Sequence, residues 1–171
     1  MMGEYEPMAV SLAECKAHLR LERDDEDGLI AGFIRTAMAL CEAFTGQSLI
    51  VRDGEQRLAA TGGWQRITAL PVVVITAVAG ADGPWPSTDY ETDIDVAGTG
   101  WVRLAASGSA QPVVQFRVGL GGDWNAVPEP LRQGIVRLVV HLFTHRDASD
   151  AGPPPAAVAA MWRPWRRMRL N

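Results

Sequence analysis

Residues 128–147, PEPLRQGIVRLVVHLFTHRD, constrain the fold more than any other stretch of the chain. Pro128 and Pro130 open it, and a proline in the first helical turn costs no backbone hydrogen bond. On a helix, its large apolar side chains would cover an arc roughly 200° wide, about twice that of an ordinary surface helix. We therefore predict a core helix covered by more than one neighbour. Its apolar side chains are Leu131, Ile135, Val136, Leu138, Val139, Val140, Leu142 and Phe143.

The rest of this predicted helix is a polar stripe with residues four apart: Gln133, Arg137, His141 and His145. The spacing of His141 and His145 is the one that two metal ligands on a helix would need. However, no glutamate lies between them and no third ligand is apparent. We therefore interpret them as solvated or interface histidines and predict no metal site.

Two shorter helices are predicted upstream. Ser11 and Glu14 have the spacing of a capping box, which marks a helix start. The acidic run 24–27 lacks the ligand spacing and glycine of a calcium loop, and acids favour a helix N-terminus. A second helix is thus expected to run from there to about Thr45, with Gly46 just beyond its end. Its predicted buried face comprises Leu29, Ile30, Phe33, Ile34, Ala37, Leu40, Cys41 and Phe44.

From residue 49 to residue 119 the apolar pattern switches to a period of two, which is typical of strands. No helix-length segment separates the predicted strands, so antiparallel hairpins are expected rather than a parallel βαβ arrangement. The predicted strands are 49–52, 55–60, 66–70, 72–78, 90–94, 101–104 and 113–119, with turns at 53–54, 62–63, 82–84, 98 and 108.

These elements predict an α+β fold. Two N-terminal helices and one long C-terminal helix would form a helical bundle, with a small antiparallel β-region inserted at about 49–119. The sequence predicts one domain over residues 1–147, a proline-rich linker over 148–160 and a C-terminal arm over 161–171.

Charge is distributed unevenly along the chain. The net charge is −4; residues 151–171 hold four arginines and no acid, so they carry +4 and residues 1–150 carry −8. Tryptophan and arginine are the residues most enriched in interface hot spots, so this end is predicted to be a docking arm. Two alternatives remain: the tryptophans Trp162 and Trp165 fold back onto the chain's own core, or the arginines contact nucleic acid.

No catalytic constellation is apparent: the G-x-S-x-G, H-E-x-x-H and C-x-x-C motifs are absent, and no cofactor or metal is predicted. Cys15 and Cys41 fall on apolar helix faces and are expected to be buried thiols, as suits a reducing cytoplasm. The first residues lack the pattern of a signal peptide, and no apolar run approaches the length of a membrane span. Asp89, Glu91, Asp93 and Asp95 form an acidic strand, which is either a solvated face or a subunit contact.

Several segments in order carry a family resemblance: SLAECKAHLRLERDDEDGLIAGFI, CEAFTGQSLI, ALPVVVITAV, the tyrosine of STDYETD, VVQFRVGLGGDWNAVPEPLRQGIVRLVVHLFTHRD and PWRRMRL. Together they resemble the head–tail connector (adaptor) proteins of long-tailed bacteriophages, prophages and gene transfer agents. The resemblance implies a structural, non-enzymatic protein that assembles in the cytoplasm and then forms part of the particle at the head–tail junction. It also implies a dodecameric ring that binds the portal protein and a stopper or tail-completion protein, with DNA passing through its channel.

The resemblance further implies that the C-terminal arm anchors to the portal. The residues concerned are Trp162, Arg163, Pro164, Trp165, Arg166, Arg167, Met168, Arg169 and Leu170. In such a ring, the polar stripe of the long helix would be a subunit contact or a channel-facing surface. The alternative function is that of a small DNA-binding accessory protein that uses the arginine-rich end.

Overall fold

The computed structural model describes residues 12–105, 112–146 and 155–167. Over these residues the chain forms four α-helices and seven strands, so the predicted α+β class is confirmed. It divides into a helical unit, formed by residues 1–50 and 121–171, and a β unit, formed by residues 51–120. The helices are α1 (Leu12–Leu19), α2 (Asp27–Thr45), α3 (Glu129–Thr144) and α4 (Ala156–Trp162); the strands are β1 (Arg52–Arg57), β2 (Gln65–Arg66), β3 (Val72–Gly80), β4 (Gly83–Pro84), β5 (Tyr90–Ile94), β6 (Gly100–Leu104) and β7 (Val113–Val118).

Helix α3 lies at the centre of the helical unit. Pro128 precedes its first turn and Pro130 lies within that turn, as the sequence predicts. The helix contacts α1, α2 and α4, which bury most of its apolar arc, whereas Val140, Leu142 and Phe143 are half-buried. Its buried residues are Leu131, Gly134, Ile135, Val136, Leu138 and Val139.

Helix α2 buries one side only. Its C-terminal boundary is as predicted: Gly46 adopts a left-handed conformation with φ of 71°, and its amide donates to the carbonyl of Glu42. Leu29 and Leu40, which were expected on the buried face, are instead 43% and 39% exposed. The buried side is therefore narrower than the apolar pattern predicts. By length and composition α2 is also able to cross a membrane, a property that core helices of soluble proteins share.

The acidic run before α2 serves as a helix start, as predicted. Lys16 of α1 lies 2.6 Å from a carboxylate oxygen of Asp24 and 2.7 Å from one of Asp27. Hydrogen bonds to these two acids raise the pKa of Lys16, and the same contact lowers the pKa of Asp24. The run therefore also ties α1 to α2.

Both cysteines are buried thiols, which confirms the prediction. Cys15 and Cys41 are completely buried in the helical unit and unpaired with each other. Burial raises the pKa of each thiol to about 12. At neutral pH both therefore stay protonated and act as small apolar side chains.

The β unit holds two antiparallel sheets rather than one. The strand order is β1-β7-β3-β4 in the larger sheet and β2-β6-β5 in the smaller one. The register of β3 on β7 shifts twice, between Val72 and Val74 and between Ile75 and Ala77. The two sheets share one hydrophobic core, which consists of Leu58, Ile67, Val72, Val78, Val102, Leu104, Val114, Phe116 and Val118.

Three sequence-based assignments in this region need correction. The predicted strand 49–52 is reduced to an isolated bridge between Ile50 and Gly121. The predicted strand 66–70 shortens to Gln65–Arg66. The predicted turn at 53–54 lies inside β1, because Gly54 makes room for a ring rather than for a turn: a Cβ there would lie 2.7 Å from Phe116.

The turn between β5 and β6 is tightly built, and the turn predicted at Gly98 is present. One carboxylate oxygen of Asp95 accepts from the amides of Ala97 and Thr99, at 2.9 and 2.8 Å. Gly98 has φ of 75°, and a Cβ on it would lie 2.6 Å from Pro71. The hydrogen bond from the Thr99 amide is the main reason why the pKa of Asp95 is lowered.

Candidate interaction surface

The predicted docking arm begins with a residue that belongs to the core. Trp162, at the end of α4, is completely buried. Its indole nitrogen donates to the carbonyl of Leu131, 3.4 Å away, and its ring lies 5.9 Å from that of Phe44. The alternative considered for the sequence, that tryptophans fold back onto the chain's own core, is therefore what the structure has at Trp162.

A glycine on α3 receives this tryptophan. A Cβ on Gly134 would collide with the indole nitrogen of Trp162 and would lie 2.8 Å from its Cε2 atom. Glycine in a helix interior costs about 1 kcal/mol relative to alanine, so its presence there has a packing reason. Gly134 and Trp162 form a complementary pair that attaches α4 to α3.

The segment after α4 is held at the C-terminal end of α2. The amide of Arg167 donates to the carbonyl of Thr45 at 2.7 Å, and the side-chain amide of Gln47 donates to the carbonyl of Trp165 at 2.5 Å. Gln47 is buried, and the carbonyl of Arg167 lies 3.2 Å from the Cβ position of Gly46. Gly46 thus ends α2 and leaves room for the returning chain.

These contacts change the boundaries inferred from the sequence. Residues 156–162 are helical, so the boundary drawn between linker and arm at residues 160 and 161 falls inside α4. The earlier linker residues 148–154 and the predicted arm residues Met168, Arg169 and Leu170 lie outside the described residues.

What this segment offers to a partner is positive charge. Arg163, Arg166 and Arg167 are exposed, as is Pro164, while Trp165 is half-buried. The guanidinium carbon of Arg166 lies 5.6 Å from the centroid of the Phe44 ring. Residues 155–167 contain no acid, and Arg166 and Arg167 lie at the C-terminal end of α2. We call Arg163, Arg166 and Arg167 the basic cluster.

The polar stripe of α3 is partly engaged within the helix. Gln133 donates to a carboxylate oxygen of Glu129 at 2.9 Å; this bond and the Arg132 guanidinium lower the pKa of Glu129. Arg137 is exposed. Gln133 and Arg137 therefore lie on the helix as the sequence predicts, and their role in a contact stays a prediction.

The two histidines of this stripe face each other at the end of α3. The rings of His141 and His145 are 4.3 Å apart, and Nδ1 of His145 lies 2.9 Å from the carbonyl of His141. In the part of the chain that the structure describes, no group of three or more histidine, cysteine or acidic side chains is placed to hold a metal ion.

The four acidic residues of the predicted acidic strand differ in their contacts. Glu91 makes a bidentate contact with Arg103, with distances of 2.8 and 2.7 Å, and Asp95 caps the β5–β6 turn. Asp93 is exposed between them, and Asp89 accepts a hydrogen bond from Thr88. Two of the four acids thus have structural roles within the β unit.

Sequence reasoning missed three residues that fix the basic cluster. Gly134 admits Trp162, and Gln47 and Thr45 hold the chain that follows it. The glycine inside an otherwise bulky helix was the one local signal available. Gln47 and Thr45 carry no such signal, because their partners lie more than a hundred residues away.

The comparison with protein families and the comparison with solved structures agree with each other. The model of the family "Phage gp6-like head-tail connector protein" matches residues 9–82. A chain in the neck of an empty GTA particle, computed with C6 symmetry, is 24% identical; the match covers 99% of this chain and 95% of that one, with a TM-score of 0.79. A chain in the neck of a native GTA particle, computed with C12 symmetry, is also 24% identical, with a TM-score of 0.77.

A third chain, from the virion of a native gene transfer agent (GTA) particle, is 27% identical. It covers 95% of this chain and 92% of its own length, with a TM-score of 0.73. No match was found among curated proteins. The resemblance noted in the sequence is therefore confirmed: residues 9–82 match the model of the phage gp6-like head–tail connector family, and the chain has the fold of chains in gene transfer agent particles.

Proposed function

We propose that this protein is a structural, non-enzymatic adaptor that forms a ring between the portal and the tail of a phage-like particle. The ring extends the DNA channel and provides the attachment surface for a stopper or tail-completion protein. Copies assemble in the cytoplasm and become part of the particle. The observation that carries the proposal is the match over 99% of the chain to a chain in the neck of a GTA particle.

The basic cluster is the proposed portal-docking surface, together with Met168, Arg169 and Leu170. The buried Trp162 acts as its anchor: it fixes the segment on α3, so that the arginines are presented from a defined position. Rigid presentation lowers the entropy cost of binding, because the side chains need less ordering on contact. An acidic patch on the portal is the matching chemistry.

Binding to purified portal rings tests this proposal. The double variant Arg163→Glu/Arg166→Glu should weaken binding at least about tenfold, because it reverses two charges at the contact. Arg57→Glu is the matched control, since Arg57 is an exposed arginine of β1 in the β unit. If the unmodified protein neither forms rings nor binds portal rings in negative-stain microscopy and native mass spectrometry, the adaptor proposal is wrong.

The exposed arginines also favour a second candidate, a DNA-binding accessory protein. Binding of this kind depends on phosphate contacts, and its affinity falls steeply as salt rises. A gel shift with duplex DNA at low salt, lost in Arg163→Glu/Arg166→Glu and retained in Arg57→Glu, would favour it. The absence of any shift at low salt would remove it.

A further inference from the structure

The side of α2 that faces away from the core is apolar and uncovered. On a helix of 3.6 residues per turn, its small residues lie opposite the buried Ile30, Ile34 and Cys41, and its two leucines lie towards one edge. We call it the outer face of α2; it consists of Gly28, Leu29, Gly32, Thr36, Ala39, Leu40 and Ala43. Its two leucines are 43% and 39% exposed.

The side of α2 that faces away from the core carries fewer charges than is usual for a surface helix. A surface helix normally carries its charged residues on the side away from the core. The charged residues of α2 are Asp27, Arg35 and Glu42. Asp27 pairs with Lys16, and Glu42 accepts from the amide of Leu49, so both are used within the helical unit. Arg35 is exposed, and a guanidinium nitrogen of its side chain lies 4.0 Å from the Cβ position of Gly32, so one arginine borders the outer face. The seven residues of the outer face are themselves uncharged, and no acid lies among them.

From these observations we propose that the outer face of α2 is the surface on which a neighbouring copy of this chain packs in the ring. The inference rests on the proposed function. What points to a second copy is the setting of the related chains, which are found in necks computed with C6 and C12 symmetry. In a closed ring every copy has a neighbour on each side, so each copy needs one uncovered surface that meets a different surface of the next.

The composition of the outer face suits contact with protein. Small side chains let the backbone of a neighbour approach closely, and the two leucines supply apolar area. A lipid bilayer is a poorer occupant. The ion pairs of Lys16 with Asp24 and Asp27 lie at the start of α2, and charges within a bilayer are costly.

Leu40→Glu tests the proposal, because it places a charge on the outer face at a leucine that is 39% exposed. Val96→Glu is the matched control: Val96 is fully exposed in the β5–β6 turn of the β unit. Thermal melting of both variants should match that of the unmodified protein. In native mass spectrometry and negative-stain microscopy, with and without portal rings, Leu40→Glu should weaken self-association by at least about tenfold. Val96→Glu should leave self-association unchanged.

Thiol labelling measures directly whether the outer face of α2 is covered in the ring. A cysteine introduced by Ala43→Cys should react with a maleimide in the free chain and be protected in the ring, whereas one introduced by Val96→Cys should react in both. The native Cys15 and Cys41 are buried and protonated, so they should contribute little background.

The outcomes separate the two proposals. If the unmodified protein assembles and Leu40→Glu assembles equally well, or the Ala43→Cys thiol stays reactive in the ring, the inference about α2 is wrong while the adaptor function stands. If the unmodified protein never assembles, the adaptor function fails and takes the inference with it. Flotation with vesicles of phosphatidylcholine and phosphatidylglycerol that Leu40→Glu abolishes would assign the outer face to a membrane and overturn the proposal.

Discussion

The helical unit and the β unit differ in which parts of the chain supply their core side chains. The β unit is formed by one continuous stretch, residues 51–120, and all of its core side chains come from within that stretch. The helical unit combines the two ends of the chain, and Trp162 fills a place on α3 that Gly134 leaves open. A change near the C-terminus should therefore affect one unit and spare the other.

The largest effect is expected from Trp162→Ala. Removing a completely buried tryptophan leaves a cavity between α3 and α4, and such changes cost about 3–5 kcal/mol of unfolding free energy. Urea denaturation followed by circular dichroism measures this loss. Hydrogen exchange should rise in α3 and α4 and change little in β7. Trp64→Ala, at an exposed tryptophan of the β unit, is the control; an equal loss in both variants would contradict the contrast.

A loss of similar size in the other unit is expected from Phe116→Ala. Phe116 is buried in the β unit and lies under Gly54, so its removal also costs about 3–5 kcal/mol. Hydrogen exchange should now rise in β1, β3 and β7 and stay low in α3. Val73→Ala, at an exposed valine of β3, should have little effect. Equal loss of protection in α3 would mean that the two units unfold as one.

A smaller loss is expected from Gly134→Ala. The added methyl group would collide with the indole of Trp162, and overpacking of this kind costs about 1–3 kcal/mol. Gly32→Ala is the control within a helix, because the nearest atom to its Cβ position is 4.0 Å away. That variant should gain up to about 1 kcal/mol from helix propensity. If thermal melts of the two variants shift in the same direction, Gly134 does not make room for Trp162.

The smallest effect concerns pH and the β5–β6 turn. The folded protein lowers the pKa of Asp95, so this group adds stability above its unfolded value of about 3.9, and the stability is lost as pH falls through the folded pKa. Asp95→Ala should remove this part of the acid dependence. Denaturation at pH 7 and at pH 3 should thus show a smaller difference in the variant. An unchanged difference would mean that the turn does not depend on the ionised carboxylate.

Sequence patterns within single helices and hairpins were sufficient to predict much of the fold. The apolar arc of residues 128–147 predicts α3, and Gly46 predicts the end of α2. Strands near 72–78, 90–94, 101–104 and 113–119 follow from alternation and turn signals, because hairpins are local in sequence. The error at residues 53–54 arose because a glycine that makes room for Phe116 has the same local signature as one that makes a turn.

The interaction surface was less predictable, because long-range contacts decide it. Composition indicates that the tryptophans and arginines of the C-terminal end take part in contacts. It does not show which of them are buried in the core and which are exposed to a partner. In the structure Trp162 is core and Arg163, its neighbour, is exposed. Likewise, periodicity places Leu29 and Leu40 on an apolar face, but only the positions of the other helices determine which part of that face stays uncovered.

The hydrogen bond from the Arg167 amide to the Thr45 carbonyl joins residues that are synthesised far apart in time. During translation the β unit can complete its core once residue 120 has left the ribosome, since domains fold as units as they emerge. The helical unit can complete its core only when residues 162–167 appear. A chain that stops short of them would leave uncovered the apolar surface around Gly134 and Leu131 that Trp162 covers. In cells, incompletely folded chains are cleared by chaperones and proteases, so such unfinished copies should be removed.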